Sequence, residues 1–291
     1  MIEMNTIIVG AGVSGQIAKV FFPKSTMIAP TFSNLPSPFF VWNSGYSERF
    51  FEMFDFDFSL RQITYNFQSV PNFKEQLKKY NKLTFKKESN IPSNGVESFE
   101  AYELDMKPQK PDIVGAVVEI DSKDRTIKLK DGKIMRFDFL FWSAPLINVK
   151  IDGVEANSKY SPIGFAAFKS DKKLFDTDYV YLVSPEFLDR NIYRVSQKRT
   201  EDEYVYIFEM AQIDKIDPEE NIRFLLEKFP SLEFEHACTR LIGHIVEGKK
   251  FEDTANVFFV GRFAQMDYEV KTHDVIKKLY KISDCNARRI Q

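Results

Sequence analysis

The residue types and spacing best suited to chemistry stand near the start of the chain. Gly10-Ala11-Gly12-Val13-Ser14-Gly15 follows the β-branched run Thr6-Ile7-Ile8-Val9 at once. It leads into Gln16-Ile17-Ala18-Lys19-Val20-Phe21-Phe22, whose apolar spacing is helical. In such a turn Gly10 permits the tight bend, Gly12 lets backbone approach a pyrophosphate, and Gly15 lets the helix lie close to its strand. The phosphate charge would meet the unpaired N–H groups and the positive dipole end of the helix. Gly10 through Gly15 are therefore expected to cradle a dinucleotide. One usual part is missing. The following strand, Ser25 to Ala29, ends in Ala29-Pro30 without the acid that normally holds the ribose, which leaves that contact to Thr31, Ser33 or Asn34.

Other reactive side chains are sparse. His236, His244 and His273 are the only histidines, and with Cys238 they do not form a zinc ligand set, so no metal is expected. Cys238 and Cys285 are too few and too far apart for a disulfide framework. Arg194 lies on an expected strand among apolar neighbours and so needs an anionic partner. Lys74, Lys78, Lys79, Lys82, Lys86 and Lys87 form a basic run interleaved with Phe73, Tyr80 and Phe85. Such a run is either a solvated face or a salt-sensitive attractor of a phosphate-bearing substrate or a nucleic acid.

The elements that must position these groups follow from the pattern of the chain. Thr6 to Val9, the helix from Gln16 and the strand Ser25 to Ala29 make a strand–turn–helix–strand unit, with Pro23 stopping the helix. Residues 31–38 read as an irregular connection, and 39–67 are dense in aromatics without clear periodicity. Phe73 to Lys87 reads as a surface helix followed by a strand. Ile113 to Ile120, Thr126 to Lys130 and Arg136 to Trp142 read as three strands, with Asp131-Gly132 as the hairpin turn between the last two. Four more strands are expected between Ser161 and Ala211. Asp217-Pro218 then opens a helix to Phe229, Val257 to Val260 is a buried strand, and Thr272 to Ile282 is the last helix.

The whole chain has 291 residues, 44% hydrophobic and 28% charged, which is long enough for a sizeable core and excludes wholesale disorder. Forty basic against forty-two acidic side chains give a net charge of −2, so general nucleic-acid binding by overall charge is not expected. The start, Met1-Ile2-Glu3-Met4, does not resemble a signal peptide, and no apolar run is long enough to span a bilayer. With the two isolated cysteines, this points to a cytoplasmic protein with no membrane partner.

The ordered motifs resemble one family. Val9 to Gly15 resembles the amino-terminal FAD fingerprint of the flavin amine oxidase, protoporphyrinogen oxidase and UDP-galactopyranose mutase superfamily. The stretch from Val117-x-x-Ile120 to Ser143-Ala144-Pro145-Leu146 is similar to the part in which those proteins complete the FAD domain. Ile192-Tyr193-Arg194-Val195-Ser196 with Phe208-Glu209 resembles a strand pair of their substrate domain, and Asn256 to Tyr268 resembles their carboxy-terminal flavin motif.

The resemblance implies an α/β fold: a Rossmann-like FAD-binding domain (1–45, 100–147 and 240–291) with an inserted, strand-rich substrate or cap domain (46–99 and 148–239). It implies non-covalent FAD, since no cysteine stands in the context used for a covalent link. Gly261 and Arg262 would meet the cofactor phosphates, Tyr268 would lie in the flavin motif, and Val117 would offer backbone to adenine. The helix from Thr272 would aim its amino end at the flavin pyrimidine ring. His273, Lys271 and Arg194 are the implied catalytic candidates. Phe165 stands where amine oxidases often carry a lysine. The implied activity is hydride removal from a carbon next to nitrogen, on a small or phosphate-bearing substrate. A mutase-like isomerase and a flavin-free scaffold are the alternatives.

Overall fold

Phe139-Leu140-Phe141-Trp142 is buried along its whole length, as a strand covered on both faces must be. It is the second strand of a parallel sheet whose order is Val257–Phe259, Phe139–Trp142, Thr6–Val9, Thr26–Ala29 and Ile113–Val114. The structure, a computed structural model, describes residues 4–31, 41–43, 58–85, 96–104, 109–267, 269–270 and 272–290. Thr6–Val9 is called β1 below, the helix Val13–Phe21 is α1, and Thr26–Ala29 is β2. α1 crosses from β1 to β2 and buries Ile17, Ala18 and Phe21 against Ile8, Met27 and Phe141. The last helix, Thr272–Ile290, brings Val275, Ile276 and Leu279 to the same cluster. Full burial of each such side chain contributes roughly 1.5–3 kcal/mol. Phe22 stacks on Phe141 with ring centroids 4.5 Å apart.

The chain divides into two compact units: Met1–Ser59, Tyr102–Lys159 and Glu247–Gln291 form one, and Leu60–Ala101 with Tyr160–Val246 form the other. The first unit also carries a second sheet, in the order Val154–Ala156, Val149–Ile151, Val117–Asp121, Thr126–Leu129, Ile134–Arg136. The second unit is built on an antiparallel-rich sheet in which Lys159–Ser170, Tyr204–Ala211, Ile192–Arg199 and Tyr179–Tyr181 are neighbours, followed by Phe58–Phe67. One face of this sheet is filled by Phe168, Tyr206, Phe208 and Met210 together with Leu225 from the helix Pro218–Lys228. That helix starts as expected: Asp217 accepts a hydrogen bond from Glu219 N at 2.9 Å, with Pro218 in the first turn.

Several elements differ from expectation. Ile113 to Ile120 is not one strand. Gly115 N donates to Ala29 O, ending the parallel ladder, and Val117–Asp121 starts the next sheet. A side chain at Gly115 would meet Leu129 Cδ2 at 2.9 Å, so Leu129 would have to shift to admit one. Arg136 to Trp142 likewise divides at Phe137-Asp138, where Asp138 N turns to Asn5 O. The aromatic stretch 39–67 contains the strand Phe58–Phe67, and the last helix continues past Ile282 to Ile290. The basic run is helical over Phe73–Thr84, and Phe85 closes the helix in the left-handed conformation. The strand expected after it lies outside the described residues.

Among the described residues no helix is long and apolar enough to cross a membrane.

Candidate functional site

The glycine turn is closed on two sides and open on the third. Gly10 has φ +108°, a conformation that L side chains rarely adopt, and its N–H donates to Ile28 O at 2.8 Å. A Cβ on Gly10 would come within 2.6 Å of Ser143 Oγ and 2.8 Å of Ala144 N. A Cβ on Gly15 would stand 1.9 Å from Gly10 O, so α1 lies directly against the turn. Gly12 is the opposite case: it is exposed, has ordinary extended backbone (φ −75°, ψ −178°), and a Cβ there would meet nothing within 4 Å. Packing requires glycine at 10 and 15. At 12 it does not, and the space beside that residue is open among the described residues.

The amino end of α1 is equally open. Gly12 is its N-cap, no side chain caps it, and no acid lies in its first turn. Its first N–H groups and dipole are thus unopposed by protein charge on the helix itself, the arrangement that receives a phosphate. Ala11, Val13 and Ser14 are part-exposed around it.

The carboxy-terminal motif meets this turn in space. Gly261 has φ +89°, and a Cβ on it would stand 2.2 Å from Ser14 Oγ and 3.9 Å from Val275 Cγ2. The end of the strand Val257–Phe259, the start of α1 and the first turn of the last helix therefore converge on one point. Arg262 is partly exposed and opens the short helix Arg262–Gln265 directly after Gly261. Lys278 fixes the last helix to this strand, donating to Phe259 O at 2.6 Å and pairing with Asp253 Oδ2 at 2.7 Å.

Two positioning groups had not been singled out by sequence. Gln16, buried on α1, donates to Ala11 O at 3.2 Å and Gln109 O at 2.8 Å and accepts from Gln109 N at 2.9 Å, clamping the turn to residue 109. Its signal is a carboxamide on the buried side of a helix that is otherwise apolar there except for Lys19. Ser143 N donates to Val9 O at 2.8 Å, while Ser143 Oγ lies 3.0 Å from Val9 O and 3.2 Å from Gly10 O, one of which takes its proton. Below the turn, Lys19 pairs with Asp112 at 3.2 Å and also donates to Ser25 O. Met27 N donates to the same Asp112 oxygen at 2.7 Å, and that bond, ahead of Lys19, holds the carboxyl below its ordinary range.

The remaining expected residues fall as follows. Val117 is buried beside the end of the parallel ladder, and a bulge between it and Glu119 interrupts pairing with Thr126–Leu129. Thr272 starts the last helix, and His273 Nε2 lies 3.5 Å from Asp274 Oδ2. Asp267 pairs with Lys250 at 2.8 Å, and this hydrogen bond lowers its pKa. Tyr268 and Lys271 lie outside the described residues, as do Ser33 and Asn34, while Thr31 is exposed. Among the described residues no cluster of His, Cys, Asp or Glu could hold a metal ion.

Arg194 belongs to the second unit, and its anion is internal. Nε donates to Glu209 Oε1 at 2.7 Å, Nη2 donates to the same oxygen, and Tyr193 OH donates to Oε2 at 2.5 Å. Glu209 is 2% exposed. Burial works against the Arg194 charge, but Glu209 and the neighbouring tyrosines outweigh it and hold the guanidinium protonated above its usual range. For Tyr193, burial first and Glu209 second push the phenol well up. Phe165 faces Glu209 across the strand pair.

No family model matches the chain, and no curated protein matches it in sequence. Solved structures do. A reduced UDP-galactopyranose mutase superposes with a TM-score of 0.61 over 98% of this chain and 94% of its own, at 12% identity. A flavin-dependent halogenase from Xanthomonas campestris gives 0.56 over 96% and 70%, at 9% identity. Aklavinone-11 hydroxylase, in a complex with FAD and aklavinone, gives 0.53 over 97% and 61%, at 12% identity. At these identities the likeness is one of fold: a Rossmann-like parallel sheet joined to a strand-rich second unit.

Proposed function

We propose that the chain is a flavin-dependent enzyme that binds FAD non-covalently at the glycine turn. The observation that carries this reading is the void beside Gly12 at the uncapped end of α1, where a Cβ would touch nothing. The convergence of Gly261 on Ser14 supports it, because it brings a second glycine turn to the same place. The fold likeness to a mutase, a halogenase and a hydroxylase supports it independently. The pyrophosphate would lie on the backbone of Ala11 to Ser14, with Arg262 as the nearby cation and Val117 at the adenine end. Thr272 would bring a helix amino end to the ring system, favouring negative charge there.

Bound FAD would supply hydride acceptance, and the substrate chemistry we favour is removal of hydride from a carbon next to nitrogen, on a small or phosphate-bearing molecule. The chain's part is to hold that carbon in line and to control protons, with His273 and Lys271 as candidates at the last helix. Arg194, already engaged by Glu209, fits a positioning role better than a proton-transfer one. A second reading is a flavin-dependent isomerase, favoured by the mutase likeness, which spans nearly the whole of both chains. The exposed lysines Lys74, Lys78, Lys79 and Lys82 on the helix Phe73–Thr84 would attract a phosphate-bearing partner, including nucleic acid.

The test begins with an absorbance spectrum and mass identification of whatever copurifies. Yellow protein whose flavin band bleaches with an amine substrate supports the oxidase, whereas turnover only after dithionite reduction supports the isomerase. Protein that stays colourless after added FAD overturns both. A salt titration of binding to a phosphate polymer tests the lysine face, and a flat response removes it.

A further inference from the structure

The peptide that joins Ala11 to Gly12 ends on a residue able to take φ of either sign at little cost, and a Cβ at Gly12 would meet nothing within 4 Å. Backbone and packing at Gly12 therefore do little to stop this peptide turning over. A half-turn would exchange the directions of its C=O and N–H, and would present an oxygen where an anion needs a donor.

One buried side chain sets the orientation. Gln16 Nε2 has two protons, which go to Ala11 O at 3.2 Å and Gln109 O at 2.8 Å, while Gln109 N donates to Oε1 at 2.9 Å. Turning the carboxamide over would set its oxygen against two carbonyls, so three contacts fix its sense. Gln16 also holds the next peptide through its backbone, because Gln16 N donates to Gly12 O at 2.9 Å. In a planar trans peptide the N–H points opposite to the C=O. With Ala11 O and Gly12 O both drawn to Gln16, the N–H groups of Gly12 and Val13 both point away from it.

Neither N–H has a partner among the described residues. Gly12 is exposed and Val13 partly so, which leaves this pair of successive donors accessible. The bond to Ala11 O also polarises the peptide and strengthens Gly12 N–H as a donor. Packing alone would be served by an apolar side chain at 16, beside Ile17, Ala18 and Phe21. A carboxamide is costly to bury unless its hydrogen bonds are made, and one of those made here fixes the turn.

We propose that Gln16 is a positioning residue of the phosphate site. Its carboxamide holds the Ala11–Gly12 peptide so that Gly12 N–H, next to Val13 N–H, faces the pyrophosphate of FAD. The proposal rests on the flavin reading and adds to it a residue that works through the backbone rather than by touching the ligand.

Full-length wild type and Gln16→Met, carrying nitrogen-labelled glycine and valine, are titrated with FAD while flavin fluorescence gives the affinity. Spectra of Gly12→Ala and Val13→Ile identify the two amide resonances. In wild type both amides shift on titration. In Gln16→Met the affinity should fall about tenfold, the loss of one hydrogen bond. At saturating FAD the Gly12 amide should lose its response, while Val13, still aimed by the Gln16 backbone, keeps it. Gln16→Glu retains the acceptor for Gln109 N but offers no donor to Ala11 O, and should weaken FAD at least about tenfold; it serves if Gln16→Met does not fold. Wild-type FAD affinity in either folded variant, or joint loss of both amide responses, overturns the proposal alone. A wild type that takes up no FAD overturns the flavin reading and the proposal with it, so the two failures are distinct.

Discussion

The glycine turn of the first unit and the Arg194–Glu209–Tyr193 group of the second are built on opposite principles. In the Arg194 group the charges are used internally. One Glu209 oxygen takes two guanidinium donors and the other takes the Tyr193 hydroxyl. At the turn, packing contacts crowd Gly10 and Gly15 while the backbone at Gly12 and the first N–H groups of α1 are left open. The comparison teaches that a buried charge is weak evidence for function, because its own stability demands a partner. Every helix leaves its first N–H groups without intrahelical partners, so those of α1 gain weight here only because the exposed Gly12 and the Gly261 turn stand beside them.

The largest effect that can break the comparison lies in the closed group. Glu209→Leu strands the Arg194 charge and should cost about 3 kcal/mol, while Arg194→Met combined with Glu209→Leu should recover most of it. Denaturant midpoints decide this, and a harmless Glu209→Leu would mean that Arg194 is held for another purpose. Next comes the crowded side of the turn. Gly15→Ala drives a methyl into Gly10 O and should cost about 3 kcal/mol, whereas Gly12→Ala should change stability by no more than about 0.5 kcal/mol. Equal losses at the two glycines would remove the distinction between packing and open space.

The smallest effect concerns the support beneath the turn. Asp112 has a lowered carboxyl pKa in the folded chain, chiefly through Met27 N. Its contribution is therefore present above the ordinary carboxylate pKa, near 4, and is lost as pH falls through the folded value. Asp112→Asn should cost about 1 kcal/mol at neutral pH, kept small because the side chain is half exposed, and should reduce the stability lost on acidification. An unchanged difference between midpoints at neutral and acid pH would assign the acid sensitivity elsewhere.

What could be read from sequence was local. β1, the glycines and α1 are contiguous, so the hydrophobic pattern and the turn chemistry point to one answer. The Asp217-Pro218 helix start was legible for the same reason. Long-range partners were not. The need of Arg194 for an anion was plain, but its identity depends on a register that sets Arg194 opposite Glu209 after a bulge. The Gln16 clamp reaches 93 residues to Gln109, and the contact of Gly261 with Ser14 joins the two ends of the chain. The break at Gly115 was hidden because Ile113 to Ile120 is apolar enough to read as one strand, and only the partners show it: Gly115 N donates to Ala29 O while Ala116 O accepts from Lys130 N.

Gly12→Val addresses the central claim most directly, since the backbone there accepts any residue and the side chain would enter only the open space. Wild-type and variant protein are incubated with FAD, desalted, and compared for retained flavin absorbance and thermal midpoint. The account predicts yellow wild type and a colourless variant with the same midpoint. A variant that keeps its flavin, or a wild type that never holds any, would contradict it.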